Sequence, residues 1–323
     1  MTFETETVLD RRRLRRRLSL WRGLAVLAGL LALGLIVFSS AEGVGLTDRR
    51  QIARVSVEGL ITEDRDKLKL LKQLAESKQV AAVILYINSP GGTTTGGEAL
   101  FEAIRELAKA KPVVAQMGTL ATSAAYIAGL AADHMVAHGN TVTGSVGVIF
   151  QWAEVSQLLD KLGVKMNEIK SGPLKANPSP FQPMDEAGKS VAEEIVAESK
   201  RWFVGLVAAR RGIDTAKVAG LEQGRVFSGR EAFALKLVDQ IGGEPEAVKY
   251  LEEQRSIPKG LKVVDWKPKR ESSWGVLGLS VEALGRLIGE RAAGEIAGLV
   301  VGDGTLGRLR LDGLVSVWQG SER

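Results

Sequence analysis

The chain has 323 residues, 45% of them hydrophobic, which is enough for one large or two modest domains with a buried core. It has no cysteine and only two histidines, which excludes disulfides, thiol catalysis, cysteine-ligated zinc and a histidine-rich metal site, and nothing in the sequence calls for a cofactor. The net charge is +5, but residues 1–22 hold seven arginines against three acids, so the remaining chain has little positive excess and no nucleic-acid-binding footprint.

The first predicted element is a membrane anchor. Six arginines between residues 11 and 17 precede an uncharged run over residues 23–41, close to the roughly 20 residues that cross a bilayer. Arginines on this flank predict residues 1–22 in the cytoplasm and a single-pass protein of the cytoplasmic (inner) membrane. The alternative is a cleaved signal peptide ending near Ser39-Ser40-Ala41. Both interpretations export everything after residue 45, so the folded domain would lie on the outer, periplasmic side.

A linker over residues 42–50 leads into alternating strand and helix patterns. Strands are predicted at 52–57, 80–88, 112–115 and 135–137, and helices at 64–77, 96–110 and 119–132. The second strand is almost continuously apolar, which is typical of a strand buried on both faces of a parallel sheet. The pattern predicts an α/β domain over residues 51–245, with its chemistry at the carboxyl ends of the strands.

Two of those strand ends have unusual sequences. Residues 88–92, NSPGG, are either a tight turn into the next helix or a place where the Gly92 amide can face an oxyanion without a side chain in the way. Residues 119–132 contain no charge, and Ser123 is predicted on the first turn of a helix. Ser123 could be an ordinary helix N-cap or a nucleophile. The amides of Gly92 and Ala124 would then lie side by side at the carboxyl edge of the sheet.

Residues 141–149 are predicted to be a loop entering a buried strand, in which Ser145 could simply satisfy a backbone group. A helix over 153–162 and a strand over 165–169 should follow. Residues 170–180 then hold two lysines, with no carboxylate between Glu168 and Asp185, so neither lysine is expected to have a local ionic partner. The ordinary interpretation of such lysines is a solvated surface charge.

A serine nucleophile needs a general base. His134 and His138 lie beyond the predicted helix, so we expect both at an edge or on the surface. A lysine of ordinary pKa is neutral in only about one molecule in 2,500 at pH 7, but burial away from acids lowers that pKa. The acid-free loop around Lys175 would permit such a shift.

Four segments together resemble one known family. They are NSPGG at residues 88–92, MGTLATSAAY at 117–126, TGSVGV at 143–148 and KSGPLK at 170–175. In this order and spacing they resemble the signal peptide peptidase A family, Ser/Lys-dyad peptidases with a Clp/crotonase-like fold of parallel sheet and flanking helices. The resemblance covers about residues 50–245.

The resemblance implies a role for each site residue and no metal or cofactor. Ser123 would be the nucleophile and Lys175 the general base, while Ser145 would orient the lysine. Gly92 and Ala124 would supply the oxyanion hole. The substrates would be hydrophobic peptides such as the remnants of cleaved signal peptides, and a short member of the family would form a ring-like homo-oligomer in which the lysine can come from a neighbouring subunit.

The chain departs from the family at a few positions. Thr93, Ala124 and Ala125 stand where many relatives have glycine, and Lys236 stands where glycine is usual. Two other hypotheses therefore remain open: a catalytically inactive membrane scaffold of the same fold, and a crotonase-like acyl-CoA enzyme, against which export from the cytoplasm argues.

Residues 246–323 are predicted to be a C-terminal extension of helix and strand. Helices are expected over 185–211 and 246–254. Residues 280–299 have charges four apart and a separate apolar face, which is typical of an amphipathic helix that packs on protein or touches a membrane surface. The charges within it exclude a second membrane span.

Overall fold

A computed structural model describes residues 21–24, 26, 27, 29, 50–268 and 315–317. The chain forms two compact units, residues 1–49 and residues 50–323. In the first unit the described residues are helical and exposed, and the rest of the predicted anchor over 23–41 lies outside the described residues. None of the helices described has both the length and the apolar composition that a membrane crossing needs.

Nine strands of the described residues form one sheet in the second unit. The strands are β1 (Gln51–Ile61), β2 (Val80–Thr93), β3 (Val113–Thr122), β4 (His134–Ala137), β5 (Val142–Gly144), β6 (Val226–Ser228), β7 (Gln240–Ile241), β8 (Val263–Asp265) and β9 (Val315–Val317). The helices of this unit are α1 (Arg65–Glu76), α2 (Thr94–Ala110), α3 (Ala124–Leu130), α4 (Ser156–Lys161), α5 (Glu186–Arg211), α6 (Gly229–Ala234) and α7 (Glu244–Gln254).

The sheet is mostly parallel. Its main path runs β6-β5-β3-β2-β1-β8, while β4 pairs with β3 and β7, and β9 pairs with β2. Among the strands of the described residues, only the β5/β6 and β2/β9 pairs are antiparallel. The predicted parallel α/β sheet with helices is confirmed, and β2 is buried along most of its length as its apolar sequence predicted.

The core lies mainly between one face of the sheet and helices α1, α2, α3 and α5. Tyr126, Phe203 and Phe227 are among its largest fully buried side chains. A smaller cluster on the other face contains Ile84 and Val114 of the sheet and Leu251 of α7. The carboxyl ends of β2 and β3 are thus held against a rigid layer of helices.

The structure corrects the predicted start of the α3 helix. Residues 119–122 were expected to be helical, but they extend β3 as far as Thr122. Leu120, Ala121 and Thr122 pair with Val142, Thr143 and Gly144 of β5. Pairing with a neighbouring strand therefore overrides the helical preference of this Ala- and Leu-rich stretch.

Two other predictions fail between residues 145 and 170, and one is confirmed with shorter bounds. The strand expected after Ser145 comes before it as β5, and residues 165–169 are irregular, whereas the helix expected over 153–162 forms as Ser156–Lys161. Val164, Met166 and Ile169 are exposed, and no described strand pairs with this segment, so its apolar alternation does not produce a strand. The helix predicted over 280–299 lies outside the described residues.

Replacing Tyr126 tests how firmly α3 is anchored. The buried Tyr126 hydroxyl donates to the Leu237 carbonyl oxygen at 2.8 Å, so Tyr126→Phe leaves that oxygen unsatisfied and should lower the free energy of unfolding by about 1–3 kcal/mol at pH 7. Burial raises the pKa of Tyr126. The unfolded chain ionises this phenol near pH 10 while the folded chain keeps it neutral, so the stability it confers is full below about pH 10 and declines above it.

Urea unfolding at pH 7, 9 and 11 checks this expectation. The free energy of unfolding of the unchanged protein should exceed that of Tyr126→Phe by the largest amount at pH 7 and 9, and by a smaller amount at pH 11. Tyr250→Phe is the control, because it keeps the ring that stacks on His134 at 3.9 Å and removes only a hydroxyl. If the two free energies of unfolding differ by the same amount at every pH, the stabilising role of a buried, neutral Tyr126 hydroxyl is contradicted.

Candidate active site

Ser123 lies at the junction of β3 and α3 in a backbone conformation that serine rarely adopts. Its φ is 59° and its ψ is −121°, and only 1% of the residue is exposed. Its N–H donates to the Gly144 carbonyl oxygen at 2.9 Å. The side chain makes no capping hydrogen bond to α3, so the N-cap interpretation is wrong. A strained residue of this kind is typical of a functional site.

Threonine hydroxyls hold the strands around this junction together. Thr122 Oγ1 donates to the Pro90 carbonyl oxygen at 3.0 Å and so ties the end of β3 to the end of β2. Thr143 Oγ1 donates to the Ala121 carbonyl oxygen at 2.7 Å and ties β5 to β3. The strained conformation of the serine is therefore imposed by its neighbours on both sides.

The glycine pair at the end of β2 is needed for close packing. A Cβ at Gly92 would come within 1.8 Å of the Ile61 carbonyl oxygen of β1. Gly91 has a φ of 111°, which few other residues adopt. The connection into α2 is tight, as one interpretation predicted, but residues 88–92 form no separate turn: they extend β2 to Thr93, and α2 begins at Thr94. Gly92 nevertheless lies in β2, Ser123 directly follows the neighbouring strand β3, and β9 pairs antiparallel with Gly91–Thr93.

Ser123 and Ser145 line one cleft of about 380 Å³. Ser145 has a φ of 53°, and its N–H donates to the Arg225 carbonyl oxygen at 2.9 Å. The other lining residues are Val146, Gly147, Val148, Ile149, Lys200, Glu222, Gln223 and Gly224. The structure thus brings together the two serines that the sequence singled out, and it adds two charged side chains that no motif indicated.

Lys175 is not among the described residues that line this cleft. It lies in a turn, where its N–H donates to the Gly172 carbonyl oxygen at 3.1 Å, and its side chain is exposed. No ion pair between described residues involves it. Lys170, in contrast, pairs with Glu168 at 2.7 Å, so the expectation that both lysines lack an acidic partner is wrong for Lys170.

Lys175 belongs to a segment with an unusually apolar surface. We call residues 149–181 the arm. Its exposed apolar side chains are Ile149, Trp152, Leu158, Leu162, Val164, Met166, Ile169, Leu174 and Phe181. Helix α4 within the arm has no buried residue. Exposed apolar side chains in this number are typical of a site of protein or membrane contact.

Neither histidine lines the cleft, but the expectation of an edge or surface position is correct only for His138, because His134 is half-buried in β4, which pairs with both β3 and β7. His134 Nε2 is 3.1 Å from Gln240 Oε1 and its ring stacks on Tyr250, while His138 is exposed at the end of β4. Within the described part of the chain, no group of three or more acidic or histidine side chains is arranged to hold a metal ion.

Comparison with known families gives two matches. The model of peptidase family S49 matches residues 105–258, and the model of the Clp protease family matches residues 53–141. Together they cover residues 53–258, which include Ser123, the arm, the described helices of the second unit and all of the sheet except β8, β9 and the start of β1.

Several relatives match over most of their own length. A protein of Synechocystis sp. named as a protease is 35% identical over 201 residues, which cover 62% of this chain and 72% of the relative. A Methanocaldococcus jannaschii protein named as a protease is 31% identical over 274 residues, 79% of this chain and 87% of the relative. An Enterococcus faecium protein named as signal peptide peptidase SppA is 33% identical over 235 residues, 68% of this chain and 67% of the relative.

Two substitutions that both remove the Ser123 hydroxyl can measure the strain at this junction. Glycine accepts a positive φ without a Cβ clash, so Ser123→Gly should be more stable than Ser123→Ala by about 1 kcal/mol. Ser190, which is exposed within α5, is the control position. There Ser190→Ala should be more stable than Ser190→Gly by about 0.5–1 kcal/mol, because glycine is the poorer helix former. The measurement is the free energy of urea unfolding. Alanine more stable than glycine at both positions would contradict the strained geometry.

Proposed function

The chain belongs to peptidase family S49, among the serine peptidases related to signal peptide peptidase SppA, and from that premise we propose that it is a membrane-anchored endopeptidase with a Ser123/Lys175 dyad. The observation that carries this proposal is the strained Ser123, which makes no helix-capping hydrogen bond and lines an open cleft. The family membership supports the reaction class, and the matching motifs support the choice of residues.

In the proposed reaction, neutral Lys175 accepts the proton of the Ser123 hydroxyl and the resulting alkoxide attacks a peptide carbonyl. The amides of Gly92 and Ala124 stabilise the negative oxygen of the tetrahedral intermediate. Lys175 then protonates the leaving amine, and a water activated by the same amine releases the acyl group. Ser145, in the same cleft as Ser123, would orient the lysine by a hydrogen bond.

The dyad would be completed between subunits of a homo-oligomeric ring. Lys175 lies on the apolar arm and not in the cleft of its own subunit. If the arm packs on a neighbour, its exposed apolar side chains are removed from water, and Lys175 enters the neighbour's cleft with them. Burial there would disfavour the charged ammonium, and a general base must be uncharged to accept a proton.

The substrate would be an extended, hydrophobic peptide. The pairing of β9 with Gly91–Thr93 indicates how such a peptide could lie, as an antiparallel strand in the place of β9. Val146, Val148 and Ile149 give the cleft an apolar wall. Remnants of cleaved signal peptides have this chemistry, and an anchor over residues 23–41 would hold the peptidase at the outer face of the cytoplasmic membrane where they are left.

The dyad is tested by removing each member. Ser123→Ala and Lys175→Ala should each lower hydrolysis of a hydrophobic peptide by at least about a thousandfold. Lys165→Ala, which removes another exposed lysine of the arm, should keep full activity. A serine-acylating probe should label the unchanged protein at Ser123, as measured by intact mass. Failure of the probe to label an unchanged protein that also lacks hydrolysis would favour the inactive scaffold.

Mixing the two inactive variants tests whether the dyad forms between subunits. In a ring with one type of interface, an equal mixture of Ser123→Ala and Lys175→Ala chains places an intact serine beside a neighbour's intact lysine at about one quarter of the sites. We therefore expect about a quarter of full activity after the chains are unfolded and reassembled together. A mixture that assembles, as judged by gel filtration, but stays inactive would show that both residues must come from the same chain.

A further inference from the structure

The cleft beside Ser123 contains charges that a purely apolar peptide would not use. Lys200 of α5 and Glu222, which follows α5, both line it. Glu222 is half-buried, and its carboxylate accepts a hydrogen bond from the Thr215 hydroxyl at 2.8 Å. Lys200 takes part in none of the ion pairs between the described residues, and its side chain is exposed to the cleft opening. The cleft therefore offers one positive charge whose hydrogen-bonding capacity is open to a ligand.

Ser123 is itself part of the cleft lining, which determines which part of a substrate enters. When a peptide carbonyl is attacked by Ser123, the side chain of the residue that bears this carbonyl starts within a few ångströms of the cleft. Its stem would pass the apolar wall of Val146 and Val148, and its end would reach the polar side formed by Lys200. The cleft has a volume of about 380 Å³, so a substrate side chain can share it with the side chain of the incoming Lys175.

We propose that Lys200 is a specificity-determining residue, which selects substrates with an acidic side chain at the residue whose carbonyl Ser123 attacks. This inference rests on the proposed peptidase function. The lysine ammonium attracts the substrate carboxylate across the cleft, and the methylene groups of both side chains lie along the apolar wall. Glu222 weakens the attraction by its own negative charge, and its hydrogen bond to Thr215 keeps it in place.

The test uses the full-length, assembled enzyme and three fluorogenic peptides that differ only at the residue before the cleaved bond, with Glu, Gln or Lys. The quantity is the ratio of kcat/KM for the Glu peptide to that for the Gln peptide. We expect Lys200→Gln to lower this ratio roughly fivefold, the size of one partly exposed ion pair. Lys200→Glu should make the Lys peptide the better substrate, and Glu222→Gln should raise the ratio above that of the unchanged enzyme.

A matched control and a salt series separate charge recognition from a structural effect. Lys189 is exposed on the same helix and does not line the cleft, so Lys189→Gln should leave the ratio unchanged. For the unchanged enzyme, the ratio of kcat/KM for the Glu peptide to that for the Gln peptide should fall as sodium chloride is raised from about 0.05 M to about 0.5 M, because the ions screen the attraction between Lys200 and the substrate carboxylate. A change of the same factor for all three peptides in Lys200→Gln would overturn the proposal, and so would a preference of the unchanged enzyme for the Lys peptide.

Failure of the proposed function gives a different result. If the unchanged enzyme hydrolyses none of the peptides, the peptidase assignment is in question, and the binding of the same peptides to the Ser123→Ala protein is measured instead by fluorescence anisotropy. Tighter binding of the Glu than of the Gln peptide, lost in the Ser123→Ala/Lys200→Gln double variant, supports the role of Lys200 without any turnover. Equal binding of the two peptides contradicts it.

Discussion

The candidate site depends on the pairing of β3 with β2 on one side as far as Ala121 and with β5 on the other side as far as Thr122. β2 and β5 hold Ala121 and Thr122 in extended conformation, and α3 begins only one residue after Ser123. The whole change from strand to helix is therefore made at Ser123, which adopts a positive φ as a result. Strain of this kind persists only where the surrounding structure over-determines the conformation. Here the threonine hydroxyls of β3 and β5 provide that restraint.

Helix α5 connects this rigid junction to the cleft. Arg210 donates to the Leu130 and Ala132 carbonyl oxygens, which lie at the carboxyl end of α3. Donors at this end satisfy carbonyls that have no partner within the helix, and a positive charge there complements the helix dipole. Arg211 forms a bidentate ion pair with Asp239, whose carboxylate also accepts the Met135 N–H of β4. The helix that carries Lys200 is thus fixed at its far end to the elements that carry Ser123.

Much of this arrangement was predictable from local patterns. The apolar run of β2 predicted a buried parallel strand, and four short motifs located Ser123, Ser145 and the arm. Long-range contacts were not predictable: residues 119–122 look helical, and only the pairing with β5 makes them a strand. Lys236 shows a similar limit. The structure places it at a φ of 59°, a backbone conformation that favours glycine and that no local pattern around Lys236 predicted. Lys200 lay in no motif at all.

Both the exposed lysine Lys175 and a group of exposed apolar side chains lie on the arm. As a general base Lys175 would have to lie out of water, yet it is exposed, and the exposed apolar side chains around it leave a surface that a soluble monomer rarely tolerates. Burying the arm against a neighbour would resolve both, because the same desolvation that stabilises the contact also disfavours the charged form of a buried amine. In the proposed mechanism, activity would then appear only where subunits have assembled. For a peptidase with an open cleft, this dependence would keep unassembled chains from cutting other proteins during synthesis and export.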